Sequence, residues 1–179
     1  PRSIRARKAI NQALIDLLKE KPYGKITITD ISDRAGFARH TFYNHYQTKD
    51  ELLNFIIDSI LDEYFAELGP WNAIMRSPEK YQQFVQRFFE VWQDHAEIEK
   101  IFNSVDIDCL LINRLRSHFT EYYFERGNEE ITGVGIEMAH YLISFNAYSF
   151  AAILRQWFLD DMKYSPEIMG QFLAHFAGV

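Results

Sequence analysis

The chain has 179 residues, of which 47% are hydrophobic and 25% charged, so it is long enough to bury a core and too apolar to remain disordered. A single cysteine, Cys109, excludes an internal disulfide framework and favours a reducing cytoplasm. No apolar run reaches the roughly 18 residues that span a bilayer, and the basic N-terminus lacks the apolar stretch of a signal peptide, so we expect no membrane association.

The charge is distributed unevenly along the chain, whose net charge is −6. Residues 1–50 hold ten basic and five acidic residues, a net of +5, whereas residues 51–179 hold nine basic and twenty acidic residues, a net of −11. A basic N-terminal part on an acidic body is typical of a protein that meets a polyanion with one end. Charge alone leaves chance variation between segments as an open alternative.

Helical periodicity begins near the N-terminus. Residues 3–20 carry one apolar stripe and predict the first helix. Thr27 and Asp30 have the spacing of a capping box that opens a second helix, and Gly36 is a typical residue for the end of that helix. Residues 38–46 are predicted to form a short third helix.

The remainder of the chain is also predicted to be helical. A second capping box at Thr48 and Glu51 opens a long helix that runs to residue 68, and Gly127-Asn128 separates two later helices. Strand alternation and hairpin dipeptides are absent from the sequence, so the predicted fold class is all-α. The later helices are predicted at 79–94, 97–104, 107–126, 129–161 and from residue 166 onward.

The second and third helices, joined around Ala35-Gly36, have the arrangement of a helix-turn-helix, whose second helix enters the major groove of DNA. At about 100° per residue, Phe42 and Tyr46 share one side of the third helix, and His40 and Asn44 point the opposite way. The aromatic pair is therefore expected to hold the helix against its neighbours and to leave the polar side free.

The polar residue types suit nucleic acid. Arg39 is suited to guanine, Asn44 to adenine and Thr41 to a thymine methyl group. Tyr43 and His45 are better placed for phosphates, as is Lys49, which is otherwise unusual in the first turn of a helix. A solvated surface helix without function is the alternative interpretation.

The stretch ITITDISDRAGFARHTFYNHYQTKDELL resembles the DNA-binding signature of the TetR family of bacterial transcriptional regulators. The resemblance covers roughly residues 8–56. The positions in register are Thr27, Asp30-Ile31, Ala35-Gly36, Thr41-Phe42-Tyr43, Tyr46 and Lys49-Asp50-Glu51-Leu52. Ala38 departs from the pattern because a capping Ser is usual there, and His40 stands where a small residue is common.

The resemblance implies a dimeric helical repressor, in some members an activator, that is released from double-stranded operator DNA by a small ligand. It implies a three-helix DNA-binding domain over residues 1–48 and a helical-bundle domain for effector binding and dimerisation over residues 49–179. It also implies that Thr27 and Thr29 hold phosphate, that Arg39, His40 and Asn44 face bases, and that Tyr43, His45 and Lys49 hold phosphates.

The C-terminal part contains 23 of the 28 aromatic residues, more than an average core requires. We expect a pocket between its helices for a small, uncharged or weakly charged, largely apolar effector, lined by Phe88, Trp92, Tyr122, Tyr141 and Phe145. For most of these residues, a place in the core is the alternative. The two-fold contact of a homodimer is expected on the apolar faces that contain Leu142, Phe145, Phe150, Leu154, Phe172 and Phe176.

Signatures of common enzyme classes are absent from the sequence. The sequence contains no GxSxG, Walker loop, GxGxxG or HExxH motif, and its histidines lack metal-ligand spacing, so we expect no catalytic site, cofactor or metal. A second hypothesis remains open, in which the C-terminal domain binds a protein partner in place of a small molecule.

Overall fold

The computed structural model describes residues 2–103, 107–125 and 136–176, and this part of the chain is helical without strands. Gly127 and Asn128, which were predicted to separate two helices, lie outside the described residues. The described α-helices are α1 (Arg2–Glu20), α2 (Ile28–Ala35), α3 (Arg39–Tyr43), α4 (Lys49–Ala66), α5 (Trp71–Met75), α6 (Pro78–Asp94), α7 (Ile107–Glu125), α8 (Ile136–Leu159) and α9 (Pro166–Phe176).

The all-α prediction is confirmed, with local differences. The predicted helix at 97–104 is a 3-10 helix over Ala96–Asn103, and a second short 3-10 helix covers Tyr23–Lys25. Helix α5 was missed because it has one buried pair, Trp71 and Ile74, which is too short a pattern to give periodicity. Helix α4 ends at Ala66, before the predicted residue 68.

The chain divides into two compact units. The first comprises Pro1–Asp58 with Ala96–Ile107, and the second comprises Ser59–His95 with Asp108–Val179. Helix α4 therefore contributes its first half to one unit and its second half to the other. The proposed domain boundary between residues 48 and 49 stays a prediction.

The first unit is organised around α1, whose apolar stripe is buried at Ile10, Leu14 and Leu18. Helices α2 and α3 and the 3-10 helix at Ala96–Asn103 all pack against α1. An ion pair between Arg34 and Glu20, 2.7 Å apart, joins the end of α2 to the end of α1. The N-terminal part of the molecule thus has its own small core.

Aromatic rings fill the core of the second unit. The ring of Phe150 on α8 lies 4.7 Å from that of Phe88, 5.5 Å from Phe84 and 5.7 Å from Phe119, measured between centroids. These edge-to-face contacts are the arrangement that aromatic pairs prefer. Phe150 and Leu154, expected on a two-fold contact, are instead buried inside the chain, because they lie on the side of α8 that faces α6 and α7.

Helix α9 lies against α6 at very short range. Gly170 is buried, and a Cβ atom added to it would lie 2.8 Å from the carbonyl oxygen of Gln82 and 3.0 Å from Cβ of Gln86. A glycine in the middle of a helix normally lowers helix stability by roughly 1 kcal/mol relative to alanine. Here it permits backbone contact between two helices.

We expect Gly170→Ala to lower the free energy of unfolding by about 1–3 kcal/mol, because the added methyl group forces α9 away from α6. Urea denaturation followed by circular dichroism measures the change. Gly69→Ala is the matched control in the same unit, since nothing lies within 4 Å of a Cβ atom at that position. A Gly170→Ala variant as stable as the control would contradict the tight packing.

Candidate functional site

Helix α2 starts with the predicted capping box. Thr27 Oγ1 accepts a hydrogen bond from the Asp30 N–H at 3.1 Å, and the Asp30 carboxylate accepts from the Thr27 N–H at 2.8 Å. The Lys21 ammonium, 2.8 Å away, and then the Thr27 hydrogen bonds lower the pKa of Asp30. Thr27 therefore has a structural role at the cap while remaining exposed, and Thr29 is half-buried in the first turn.

The turn between α2 and α3 depends on Gly36. Its φ of 71° lies in the left-handed region that glycine adopts without steric cost. The Gly36 N–H donates to the carbonyl oxygen of Asp33, and the Phe37 N–H donates to that of Ser32. This turn ends α2, as predicted from the sequence, and brings the chain round into α3.

Helix α3 is shorter than the predicted residues 38–46. It covers Arg39–Tyr43, because the His45 N–H donates to the Phe42 carbonyl three residues back and so begins a tighter turn. Asn44 follows as the C-terminal cap. Ala38 precedes the helix without a side-chain hydrogen bond, as its departure from the family pattern implies.

Two aromatic residues hold α3 in place. Phe42 and Tyr46 are buried, with ring centroids 5.9 Å apart, and the Tyr46 hydroxyl donates to the side-chain oxygen of Asn11 on α1 at 2.7 Å. The opposite side of the segment is polar and open to solvent. Arg39, His40, Tyr43 and Asn44 are exposed, whereas Thr41 and His45 are half-buried.

Lys49 at the start of α4 has partners within the first unit. Its ammonium donates to the carbonyl oxygens of Tyr23 at 2.8 Å and Ile26 at 2.9 Å, and it lies 4.0 Å from the centre of the Tyr23 ring. Burial lowers the pKa of Lys49. The sequence pattern, which suggested a phosphate contact, did not reveal these partners, because they lie more than 20 residues away.

The second unit contains a cavity of about 380 Å³, within the range of small-molecule sites. Among the described residues, none that lines it is charged. Its polar groups come from Tyr81, Asn146 and Ser149, and Asn146 donates a hydrogen bond to the Tyr123 hydroxyl at 2.7 Å. The apolar walls include Trp71, Val85, Phe89, Phe150, Ile153 and Leu173.

Of the five residues predicted to line a ligand pocket, Phe145 lines this cavity. Phe88, Trp92 and Tyr122 are buried in the core, where the Tyr122 hydroxyl donates to the carbonyl oxygen of Gly69. Tyr141 is 72% exposed. These four residues are not among those that line this cavity, so their predicted ligand role stays a prediction that the cavity does not support.

Sequence reasoning missed Asn146. It is a buried amide within an uncharged stretch of α8, and a lone buried polar residue on an apolar helix face is a signal of a hydrogen-bonded site. The ring of His118 has two polar neighbours: Nδ1 lies 2.9 Å from the Arg114 carbonyl oxygen, and Nε2 lies 3.1 Å from the Asp62 carboxylate.

The described residues also bear on metal binding and on membrane insertion. They contain no group of three or more histidine, cysteine, aspartate or glutamate side chains that could hold a metal ion. Within the same residues, no helix has both the length and the apolar character needed to cross a membrane.

Two family models match the chain. Residues 10–56 match the bacterial regulatory proteins of the tetR family, and residues 79–177 match the transcriptional regulator C-terminal region. Relatives include the HTH-type regulator YxbF of Bacillus subtilis, 38% identical over 84 residues, or 44% of this chain and 22% of that protein. The dhaKLM operon activator DhaS of Lactococcus lactis is 30% identical over 97 residues, or 50% of this chain and 52% of DhaS.

Solved structures share the fold. The structure of DhaS has a TM-score of 0.63 at 20% identity, covering 96% of this chain and 93% of that one. The structure of FadR from Bacillus subtilis in complex with stearoyl-CoA has a TM-score of 0.56 at 18% identity, and the match covers 94% of this chain and 95% of FadR. The sequence matches to YxbF and DhaS span about a fifth and about a half of those proteins.

The models and relatives are those of DNA-binding transcriptional regulators, not enzymes. The capping box, the Gly36 turn and the exposed polar side of α3 lie within the segment that matches the N-terminal model. The C-terminal model alone covers more than half of the chain. The chain belongs to the TetR family of transcriptional regulators.

Proposed function

We propose that the protein binds double-stranded operator DNA as a homodimer that reads an inverted repeat, most simply as a repressor. The observation that carries this proposal is the exposed polar side of α3, where Arg39, His40 and Asn44 face solvent while Phe42 and Tyr46 are buried. Base edges in the major groove are read by these side-chain types. One short helix per chain supplies little sequence information, and a two-fold pair supplies twice as much.

We further propose that a small, uncharged, largely apolar effector occupies the cavity and lowers operator affinity. The lining residues that the structure describes include no cation for an anionic group, and Asn146 offers one amide for a polar group of the effector. FadR, which shares the fold, was solved with stearoyl-CoA, whose acyl chain is apolar and whose CoA part is anionic, so it supports a site for an apolar chain and not the absence of charge. A tenfold loss of operator affinity requires about 1.4 kcal/mol of coupling.

A route for this coupling follows from chain connectivity. Helix α6 lines the cavity with Val85 and Phe89 and leads into Ala96–Asn103, which packs against α1 in the first unit. Helix α4 also contributes residues to both units. An effector that shifts α6 or α4 would therefore act on the unit that carries α3.

The alternative is a regulator, possibly an activator, that is controlled by a protein partner. The observation that favours it is the set of exposed aromatic side chains on α8 and α9, together with the activator among the relatives. Titration of candidate effectors against the operator complex separates the two proposals. Release by a small molecule supports the first, and release by a polypeptide alone supports the second.

Asn44→Ala should weaken binding to the preferred operator by about 1–3 kcal/mol and should leave binding to random DNA nearly unchanged. The operator is first selected from random fragments, and affinities are then measured by fluorescence anisotropy. Gln47→Ala, an exposed polar residue beyond α3, is the control. Equal losses on both DNAs would assign Asn44 to the phosphate backbone.

Lys49→Met should lower the free energy of unfolding by about 1–3 kcal/mol, because the Tyr23 and Ile26 carbonyls lose a charged donor. Urea denaturation measures this loss, with the exposed Lys25→Met as control. We expect the salt dependence of operator affinity to stay the same. The salt dependence is the slope of log affinity against log salt concentration. If that slope fell by about one unit while stability stayed unchanged, the result would instead support the phosphate contact that the sequence suggested.

Neutral 1-decanol should raise the melting temperature and release the operator, whereas decanoate should do so at least about tenfold more weakly, because burying an unpaired carboxylate is costly. Thermal shift and anisotropy measure both effects. Ser149→Phe, which fills the cavity, should abolish the response and preserve operator binding, and Ser117→Phe on α7 is the control. If decanoate raised the melting temperature and released the operator at lower concentrations than 1-decanol, the uncharged-effector proposal would be contradicted.

A further inference from the structure

The cavity of the second unit opens on an exposed surface. Two of its lining residues, Phe145 on α8 and Phe176 on α9, are 67% and 81% exposed. Ser149, one helical turn beyond Phe145, also lines the cavity and is half-buried. The mouth therefore lies between α8 and α9, and none of the residues that the structure describes seals it.

The surface around this mouth is aromatic. We define the aromatic face as Tyr141, Phe145, Tyr148, Phe172 and Phe176, all of them exposed by more than half. Taking about 200 Å² for a whole aromatic side chain, these five leave on the order of 700 Å² exposed. That area exceeds the roughly 300–600 Å² of the largest apolar patch on a typical monomer. It approaches the ~800 Å² that each partner buries in a stable complex.

The aromatic face suits a second copy of the same chain. From Met138 to Leu154, α8 contains no Asp, Glu, Lys or Arg and exposes three aromatic side chains, and an apolar surface of this extent marks an interaction site. Residues 51–179 carry a net charge of −11, so two copies repel wherever charged surfaces meet. In a two-fold dimer, the same surface patch of each copy contacts its equivalent in the other copy. Because the aromatic face carries no charge, this contact brings no like charges together.

We infer that the aromatic face of a second copy covers the cavity mouth, so that the effector site is complete only in the homodimer. This inference rests on the homodimer of the proposed function. The copy's aromatic side chains then contribute the missing wall between Phe145 and Phe176. An occupant of the cavity then contacts both chains. By thermodynamic linkage, the occupant raises the dimerisation constant by the same factor by which dimerisation raises the affinity for the occupant.

Thiol reactivity tests the closure without any effector. Ser149→Cys is made in a Cys109→Ser background, because Cys109 is exposed and would react. We expect N-ethylmaleimide to modify the introduced thiol at least about tenfold more slowly in the dimer than in a monomer, since only the open mouth admits the reagent. Mass spectrometry gives the rate, and analytical ultracentrifugation gives the oligomeric state.

The monomer is obtained with Phe172→Glu, which lies in the aromatic face without lining the cavity. Phe172 is 61% exposed, so its replacement removes little core packing, and circular dichroism verifies the fold. Phe172→Leu, which keeps the face apolar, is the matched control and should remain dimeric with a protected thiol. Equal reaction rates in the dimer and the Phe172→Glu monomer would overturn the inference, as would a parent chain that is monomeric.

The neutral fluorophore N-phenyl-1-naphthylamine tests the linkage. It should bind the parent dimer and bind the Phe172→Glu monomer at least about tenfold more weakly. Undiminished binding by the monomer would overturn the inference even if the effector proposal holds. A protected thiol in a dimer that binds no fluorophore would count against the effector proposal alone and would leave the closure established.

Discussion

The burial of Phe42 and Tyr46 is the constraint on which the DNA-binding proposal depends. A helix of five residues such as α3 has little stability by itself, so its rotation about its own axis must be set by neighbours. Phe42 is completely buried, and the Tyr46 hydroxyl is bonded to Asn11 of α1. With these two side chains fixed, Arg39, His40 and Asn44 necessarily point outward.

The rotation of successive residues around a helix gives α8 three roles at once. Successive residues advance by about 100°, so one helix presents different side chains to different surroundings. Phe150 enters the aromatic core, Asn146 reaches the cavity, and Phe145 remains largely exposed at its mouth. The absence of charged residues from Met138 to Leu154 is compatible with all three roles.

The proposed effector response requires communication between two units with separate cores, and the chain passes between them at three points. Helix α4 provides one connection, and the segment Ala96–Ile107 provides the other two. Tight backbone contact at Gly170 joins α9 to α6, the helix that precedes this segment. In the proposed response, a structural change at the cavity therefore has closely packed helices available to carry it.

The sequence by itself determined the features that depend on neighbouring residues. The capping box at Thr27 and Asp30, the turn at Gly36 and the inward pair Phe42 and Tyr46 could all be predicted, because their partners lie within a few positions. The family and the all-α class follow from the same local patterns.

Only the tertiary structure decided which residues from distant segments meet. Lys49 donates to carbonyl groups more than 20 residues away, so its partners left no local pattern. The cavity combines side chains of α5, α6, α8 and α9, and aromatic composition could not distinguish its wall from the core that holds Phe88 and Trp92. Periodicity describes the faces of one helix, whereas a cavity is created by where several helices leave space between them.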